Sequence, residues 1–214
     1  MNTEKCLQIL RDIKDVAFAT VDTDGLPQIR IIDIMLVENE KVYFCTARGK
    51  SFYKQLMTDG QVAITGMNKN YQMIRLNGTA EHLSDRKHWI DRIFEENPSM
   101  NDVYPGDSRY VLEAFCIARG EVEFFDLGST PINRESFRLG NNDTDVNTPE
   151  TVSTDHSLCN KGFEITDKCI QCGKCMQVCP QKCIKDFHIN EKHCLHCGLC
   201  YEECPVSAVK KKGV

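Results

Sequence analysis

Long apolar runs, basic stripes and nucleotide-binding glycine motifs are all missing from this 214-residue sequence. No run of eighteen apolar residues occurs, so we expect no membrane-spanning helix. Lysines and arginines form no stripe of the kind that binds nucleic acid, and no GxGxxG motif indicates a nicotinamide-binding fold. The first twenty residues lack the basic start and apolar block of a signal peptide. We therefore expect a cytoplasmic protein that binds neither membrane nor nucleic acid.

Cysteine, in contrast, is abundant, with thirteen in the chain. Disulfides are not expected in the reducing cytoplasm, so metal or cluster binding is the better interpretation. Charge is also uneven. Residues 161–214, which hold most of the cysteines, carry a charge of +3, and the remainder carries −8.

Two copies of one cysteine pattern, CIQCGKCMQVCP and CLHCGLCYEECP, occupy residues 169–180 and 194–205. Gaps of two, two and three residues, followed by proline, match the bacterial ferredoxin run, in which the fourth cysteine serves the other cluster. The segment resembles a two-cluster bacterial ferredoxin domain, and we predict two 4Fe–4S clusters with crossed ligands. The first cluster would take Cys169, Cys172, Cys175 and Cys204. The second would take Cys194, Cys197, Cys200 and Cys179.

Zinc is the alternative occupant, because four thiolates also bind zinc, usually from two separated CxxC pairs. Eight cysteines in two CxxCxxCxxxCP copies favour iron–sulfur instead. His188, His193 and His196 lie near these cysteines, but no histidine ligand is needed when eight thiols are present. Cys183 lies just outside the pattern and is interpreted as a small buried side chain. The other cysteines have no partner spacing and are interpreted as packed or exposed side chains: Cys6, Cys45, Cys116 and Cys159.

Residues 16–126 are dominated by alternating or apolar runs typical of β-strands. They predict about six antiparallel strands, among them one long strand over PQIRIIDIMLVE and a last strand interrupted near Gly120. Two helices are predicted, a short one over residues 50–60 and a longer one over residues 84–98. This composition predicts a small β-barrel.

The order of these elements, with four short segments, resembles the pyridoxamine 5′-phosphate oxidase-like, FMN-binding split-barrel family. The segments are PQIRII, YFCT, RGKSFYKQL and RLNGTAEHL, and the resemblance covers about residues 4–128. The implied fold class is mainly β with α: an antiparallel split β-barrel plus a small α+β ferredoxin-like iron–sulfur domain. The domains would be residues 1–128 for the FMN-binding barrel, 129–160 for a polar linker and 161–214 for the two-cluster domain.

A flavin phosphate requires cations, hydroxyl donors and backbone N–H groups, and a helix N-terminus supplies the last of these. The resemblance implies that a strand arginine and the residues after the third strand bind the phosphate. It also implies that the backbone after the arginine meets the flavin ring. The FMN-binding residues implied are Arg30, Ile31, Ile32, Thr46, Lys50, Ser51 and Lys54.

Taken alone, these residues would have ordinary roles. A single strand arginine such as Arg30 is more often solvated or ion-paired than ligand-binding, and Lys50 and Lys54 would be exposed helix lysines. Their occurrence together, in the order found in this family, favours a phosphate site instead. Other notable side chains are interpreted as structural: Arg75, His82, His88 and Trp89. No catalytic side chain stands out.

Clusters carry single electrons, whereas a flavin can collect two and deliver them as a pair. We therefore expect an FMN-dependent reductase, in which an external donor such as a ferredoxin reduces the clusters. Electrons would pass from the clusters to FMN and then to a small electron-poor substrate. The true oxidase has an arginine-rich C-terminal substrate motif, which linker and ferredoxin segments replace here, so vitamin B6 oxidation is not expected.

Two alternatives stay open at the level of sequence. The chain could be a non-catalytic electron carrier or redox sensor that exchanges electrons with a partner protein. The barrel could instead hold haem or a deazaflavin, although no well-placed histidine favours haem. The resemblance further implies a homodimer with FMN at the subunit interface.

Overall fold

The structure is a computed structural model that describes residues 1–140 and 162–212. These residues divide into two compact units. The first unit comprises residues 1–123 and 137–140, and the second comprises residues 124–136 and 162–212. Most of the predicted linker, including Cys159, lies outside the described residues. The predicted domain boundaries therefore stay a prediction.

A single large sheet flanked by helices forms the barrel part of the chain. Its strands are β1 Asp15–Val21, β2 Pro27–Asp33, β3 Leu36–Glu38, β4 Lys41–Ala47, β5 Gln61–Met67, β6 Gln72–His82, β7 Leu112–Asp126 and β8 Asn133–Leu139. The helices are α1 Thr3–Ile13, α2 Ser51–Thr58, α3 Arg86–Glu96 and α4 Met100–Val103, with a 3-10 turn over Gly106–Val111. The strand order is β2-β1-β5-β6-β7-β4-β3, with β8 paired to β7. This mostly antiparallel half-barrel confirms the predicted fold class.

Three features differ from the sequence prediction. The long strand predicted over PQIRIIDIMLVE divides into β2 and β3 at Ile34 and Met35. Helix α1 was not predicted, although Asn2 caps it by accepting a hydrogen bond from Lys5 N. Strand β7 continues through Gly120 without a break. A Cβ at Gly120 would lie 2.2 Å from the backbone oxygen of Asn77, so this glycine permits a close approach of β7 to β6.

Alternating side chains of the sheet build two apolar layers. In one layer the strand residues Phe18, Phe44 and Phe115 pack with Phe52 of α2, and the Phe18 and Phe44 centroids are 4.8 Å apart. The other layer joins the sheet to α3. Its buried members are Met35, Cys45, Ile90, Ile93, Phe94, Leu112 and Ala114. Trp89 stacks on Tyr43 beside this layer at 4.9 Å, which agrees with its interpretation as a packing residue.

The second unit consists of short strand pairs and short helices around the cysteine motifs. The strands are β9 Phe163–Ile165, β10 Ile184–Lys185, β11 His188–Ile189 and β12 Val209–Lys211, paired β9 with β12 and β10 with β11. The helices are α5 Lys174–Val178 and α6 Leu199–Glu202. Each follows a glycine with positive φ, Gly173 at +74° and Gly198 at +88°, a conformation that glycine adopts without strain. Across residues 1–140 and 162–212, none of the helices combines the length and apolarity needed to cross a membrane.

Candidate functional site

The eight motif cysteines line two small cavities in the second unit. The first cavity is lined by Cys169, Cys172, Cys175 and Cys204, among other residues. The second cavity is lined by Cys179, Cys194, Cys197 and Cys200, among other residues. Each cavity therefore draws three thiols from one copy of the motif and one thiol from the other copy. Sulfur ligands converging in groups of four have the chemistry that a 4Fe–4S cluster requires.

The two copies use the same backbone geometry next to their first cysteine. Gln171 and His196 occupy equivalent positions, and both have a φ of +56°. The backbone N–H of Gln171 donates to Cys169 Sγ at 3.4 Å, and that of His196 donates to Cys194 Sγ at 3.4 Å. N–H donors to cluster sulfurs help to set the reduction potential. At the backbone level the two sites are therefore equivalent here.

The thiols differ in how strongly the surroundings favour the thiolate. Burial opposes ionisation of Cys204, but the backbone N–H groups of Val206, Ala208, Val209 and Ser207 together outweigh it and lower the pKa of this thiol. Ala208 N lies 3.2 Å from Cys204 Sγ. Burial raises the pKa of Cys200 to about 11. Ligand binding at Cys200 therefore requires a metal or cluster to displace its proton, as coordination does.

Cys183 is a ninth thiol in the same unit and lines the second cavity. Its sulfur lies 3.5 Å from Cys179 Sγ. The side chain is buried, as the sequence analysis expected, and burial raises its pKa well above the usual thiol value. It has the character of a small packed side chain next to a ligand.

Arg30 is half-buried on β2 and joins this strand to helix α2. Its Nη1 donates to Thr20 Oγ1 at 2.5 Å, and its Nη2 donates to Gln55 Oε1 at 2.9 Å. The guanidinium also lies over the Phe52 ring, 4.6 Å from its centroid. A guanidinium has five N–H donors, and these two bonds fix its orientation while leaving donors for an anion.

The end of β4 and the start of α2 hold three more of the predicted phosphate contacts. Thr46 is 3% exposed, and its hydroxyl has no hydrogen-bond partner within the described residues. Lys50 is the N-cap of α2, Ser51 is its first residue, and no described side chain caps this N-terminus. A buried hydroxyl without a partner costs about 1–3 kcal/mol. The residues present therefore fit an anionic ligand that supplies an acceptor to Thr46 and to the helix N–H groups.

The remaining predicted residues are less enclosed. Ile31 is 63% exposed on β2, Lys54 is exposed on α2, and Ile32 is half-buried. Ile31 and Ile32 were predicted to meet a flavin ring through their backbone, so side-chain exposure does not conflict with that role. The structure thus connects Arg30 to α2 and leaves Ile31 and Lys54 at the surface.

A charged cluster that the sequence analysis missed lies around Glu113 on β7. This side chain is 7% exposed and accepts from Arg48 Nη1 at 2.8 Å, Arg86 Nη1 at 3.2 Å and His82 Nε2 at 2.9 Å. Burial opposes its ionisation, but the bonds from Arg48, His82 and Arg86 lower its pKa below the usual value. In the sheet, Glu113 is directly opposite Thr46. A glutamate within the apolar run YVLEAFCIA was the only signal in the sequence.

We expect Glu113→Gln to destabilise the first unit by about 1–3 kcal/mol at pH 7, because the amide cannot neutralise the two guanidinium groups. A lowered pKa means that the carboxylate stabilises the fold above its usual value of 4.5 and that this stability is lost as the pH falls through the folded value. The difference between variant and wild type should therefore shrink in acid. Denaturant unfolding at several pH values measures this. Glu121→Gln, an exposed glutamate of the same strand, is the control, and equal stabilities at pH 7 would contradict the expectation.

Comparisons with known proteins find a family match in each of the two units. A family model described as pyridoxamine 5′-phosphate oxidase matches residues 2–108, half of the chain, and one described as a 4Fe-4S dicluster domain matches residues 161–205. The fold is a split barrel followed by a dicluster iron–sulfur domain. The chain belongs to the pyridoxamine 5′-phosphate oxidase family, as the sequence resemblance predicted. A search of curated proteins finds no match.

Solved structures agree on the barrel. A nimc/nima family protein from Clostridium acetobutylicum is 25% identical, with a TM-score of 0.55, over 64% of this chain and 92% of its own. A protein of the same organism related to general stress protein 26 of B. subtilis is 14% identical, with a TM-score of 0.50, over 64% and 96%. A heme binding protein from Mycobacterium smegmatis is 13% identical, with a TM-score of 0.50, over 64% and 58%. The last two show the fold alone.

Family and domain together define the chain as a redox protein. The barrel is of the FMN-binding, pyridoxamine 5′-phosphate oxidase-like type, and the C-terminal motif is a 4Fe–4S dicluster domain with its cysteines gathered in two groups. This combination indicates a flavin and iron–sulfur oxidoreductase.

Proposed function

We propose that the chain is an FMN-dependent reductase fed by two 4Fe–4S clusters. An external donor reduces the clusters, the clusters reduce FMN, and FMN reduces a small electron-poor substrate. The observation that carries this proposal is the sorting of the eight motif thiols, four to each of two cavities, in a chain that also has a flavin-type barrel. Low-potential clusters can reduce a flavin downhill.

The cluster residues would act by binding and insulation. The first cavity would hold one cluster on Cys169, Cys172, Cys175 and Cys204. The second would hold the other on Cys194, Cys197, Cys200 and Cys179. Three from one copy and one from the other is the arrangement that crossed ligation needs. Buried apolar side chains around both cavities limit access of water: Phe163, Ile184 and Val209.

The barrel residues would bind the flavin phosphate and exclude water from it. Arg30, held by Thr20 and Gln55, would present its remaining donors to phosphate oxygens. The Thr46 hydroxyl, which has no partner among the described residues, would complete the phosphate site together with Lys50, Ser51 and the start of α2. Lys54 would add charge nearby, and the backbone at Ile31 and Ile32 would meet the ring. When bound, FMN supplies transfer of one or two electrons.

A homodimer is part of the proposal, and an exposed apolar face supports it. Ile29 is 73% exposed and Ile31 is 63% exposed on β2, which lies at the edge of the sheet. On the same face their cross-strand neighbours are Ala19 and Ala17, and Ala19 is paired to Ala63 of β5. Exposed apolar patches of this kind mark protein contacts, and a second copy of the chain is the occupant we propose.

The external donor is proposed to be an acidic electron-carrier protein such as a ferredoxin. An open groove of about 400 Å³ adjoins the second cavity and shares Cys183 with it. Lys182, Lys185 and His188 line this groove, and the described residues that line it include no carboxylate. Positive charge on a groove next to a cluster favours the approach of a negatively charged partner.

Anaerobic purification followed by iron, sulfide and flavin analysis tests the proposal. We expect about eight irons and one FMN per chain, and a mass in solution that corresponds to a dimer. Reduced ferredoxin should then reduce the clusters and the flavin, and turnover of an electron-poor substrate such as a nitroaromatic compound should follow. Flavin reduction without turnover of any substrate would favour the carrier or sensor function. Full iron content with no FMN, even after FMN is added, would contradict the flavin role.

A further inference from the structure

Residues 124–136, which the sequence analysis assigned mainly to the barrel end and the linker, belong to the same compact unit as the cysteine motifs. Within this unit one of them contacts the residue just before the second motif, and another contacts the motif itself. The backbone oxygen of Ile132 lies 2.7 Å from His193 Nδ1. Arg134 Nη1 lies 2.6 Å from His196 Nδ1. The second motif is therefore attached to a segment that lies about sixty residues earlier in the chain.

The contact at His196 continues into a chain of hydrogen bonds whose direction can be assigned. An arginine can only donate, so His196 Nδ1 must accept from Arg134. The imidazole proton then lies on Nε2, which is 2.9 Å from Glu191 Oε2 and donates to it. Lys212 Nζ is 3.0 Å from the other carboxylate oxygen of Glu191. The histidine ring is thus held from both sides.

His196 lies between two ligands of the second cavity, Cys194 and Cys197. A ring nitrogen of His196, a carboxylate oxygen of Glu191 and the sulfur of Cys194 all lie within 4.8 Å of one another. The guanidinium of Arg134 is therefore one imidazole ring away from the sulfur that would bind the second cluster. Arg134 also lies over the Phe125 ring, 5.5 Å from its centroid, which further fixes its position.

The first motif provides an internal comparison. Gln171 occupies the position of His196, with the same φ and the same N–H donation to its cysteine sulfur. Its side chain is exposed, whereas that of His196 is 17% exposed and bonded to Arg134. The backbone of the two copies is the same here, so the arginine contact makes the two sites electrostatically different.

We propose that Arg134 is a positioning residue for the cluster of the second cavity and that its charge raises the reduction potential of this cluster above the value it would have without the guanidinium. The inference rests on the proposed presence of two clusters, and it does not depend on FMN or on a substrate. A fixed positive charge close to a cluster favours the reduced form, which carries one more negative charge.

Arg134→Gln is the decisive variant, because it removes the charge but keeps a donor for His196. We expect the reduced-to-oxidised ratio of the second cluster at a fixed potential to fall about three- to tenfold, where tenfold is about 59 mV for a one-electron couple. The first cluster should not change. Arg134→Lys keeps the charge and should keep most of the potential. Arg138→Gln, which removes an exposed arginine of the same strand, is the matched control.

An anaerobic redox titration followed by electron paramagnetic resonance measures each cluster separately. Cys172→Ala and Cys197→Ala assign the two signals, because each removes a thiol of one cavity only. Unchanged potentials in Arg134→Gln, or an equal fall in both clusters, would overturn the proposal. If Arg134→Gln fails to load the second cluster, His196→Gln is measured instead. This variant keeps the charge and an acceptor for it, so its second-cluster potential should stay near the wild-type value. A fall of about three- to tenfold in the reduced-to-oxidised ratio of that cluster would overturn the proposed role of the charge. Absence of iron from the wild type would instead reject the proposed function itself.

Discussion

Cys204→Ala should remove the same cluster as Cys172→Ala, although Cys204 belongs to the other copy of the motif. The first cavity gathers Cys204 with three cysteines of the first copy, so the loss of either thiol leaves that cluster with three ligands. Iron and sulfide per chain should fall to about half of the wild-type value. The paramagnetic resonance spectrum of reduced Cys204→Ala should match that of Cys172→Ala and differ from that of Cys197→Ala.

A matched control is available in Cys183→Ala, which removes a buried thiol next to the second cavity without removing a proposed ligand. This variant should keep both clusters. If Cys204→Ala instead gave the spectrum of Cys197→Ala, each copy of the motif would bind its own cluster, and the crossed assignment would be wrong. Zinc in place of iron in the purified wild type would reject clusters of either connectivity.

The iron–sulfur domain could be predicted because the information in its cysteine motifs is local. Gaps of two and three residues place thiols of one copy on one tight loop, whatever the rest of the fold does. Gly173 and Gly198 mark the left-handed turns that begin α5 and α6. The alternation of apolar residues likewise predicted most of the strands, since one buried face fixes the register of a strand. The family resemblance then supplied the barrel.

Contacts between distant segments could not be predicted in this way. Glu113 interacts with residues 27 to 65 positions away, and Arg134 interacts with His196 62 positions away. Neither Glu113 nor Arg134 stands out in the sequence, because a glutamate in an apolar strand or an arginine in a polar segment has many possible partners. Gly120 is a further example. It was interpreted as a strand break, but it permits β7 to pass close to Asn77, a requirement set by the neighbouring strand.

Arg30→Met should weaken FMN binding by about two orders of magnitude or more, because a guanidinium makes two charge-assisted hydrogen bonds to phosphate, each about 1.5–3 kcal/mol. Methionine keeps an apolar stem over Phe52, so the fold should be retained. Fluorescence titration of flavin-free protein with FMN measures the affinity. Arg75→Met, at an exposed arginine of β6, is the control and should bind FMN like the wild type.

Riboflavin separates a phosphate contact from a general effect on the barrel, because it has the same ring and no phosphate. If Arg30 binds phosphate, Arg30→Met should lower FMN affinity and change riboflavin affinity little. Thr46→Val should also lower the affinity for FMN more than the affinity for riboflavin. Its effect on FMN affinity should be smaller than that of Arg30→Met, about tenfold or more. Its flavin-free form should be at least as stable as the wild type, since valine removes a buried hydroxyl that has no partner in the described residues. Equal losses for both flavins would mean that these residues support the barrel and that the phosphate binds elsewhere.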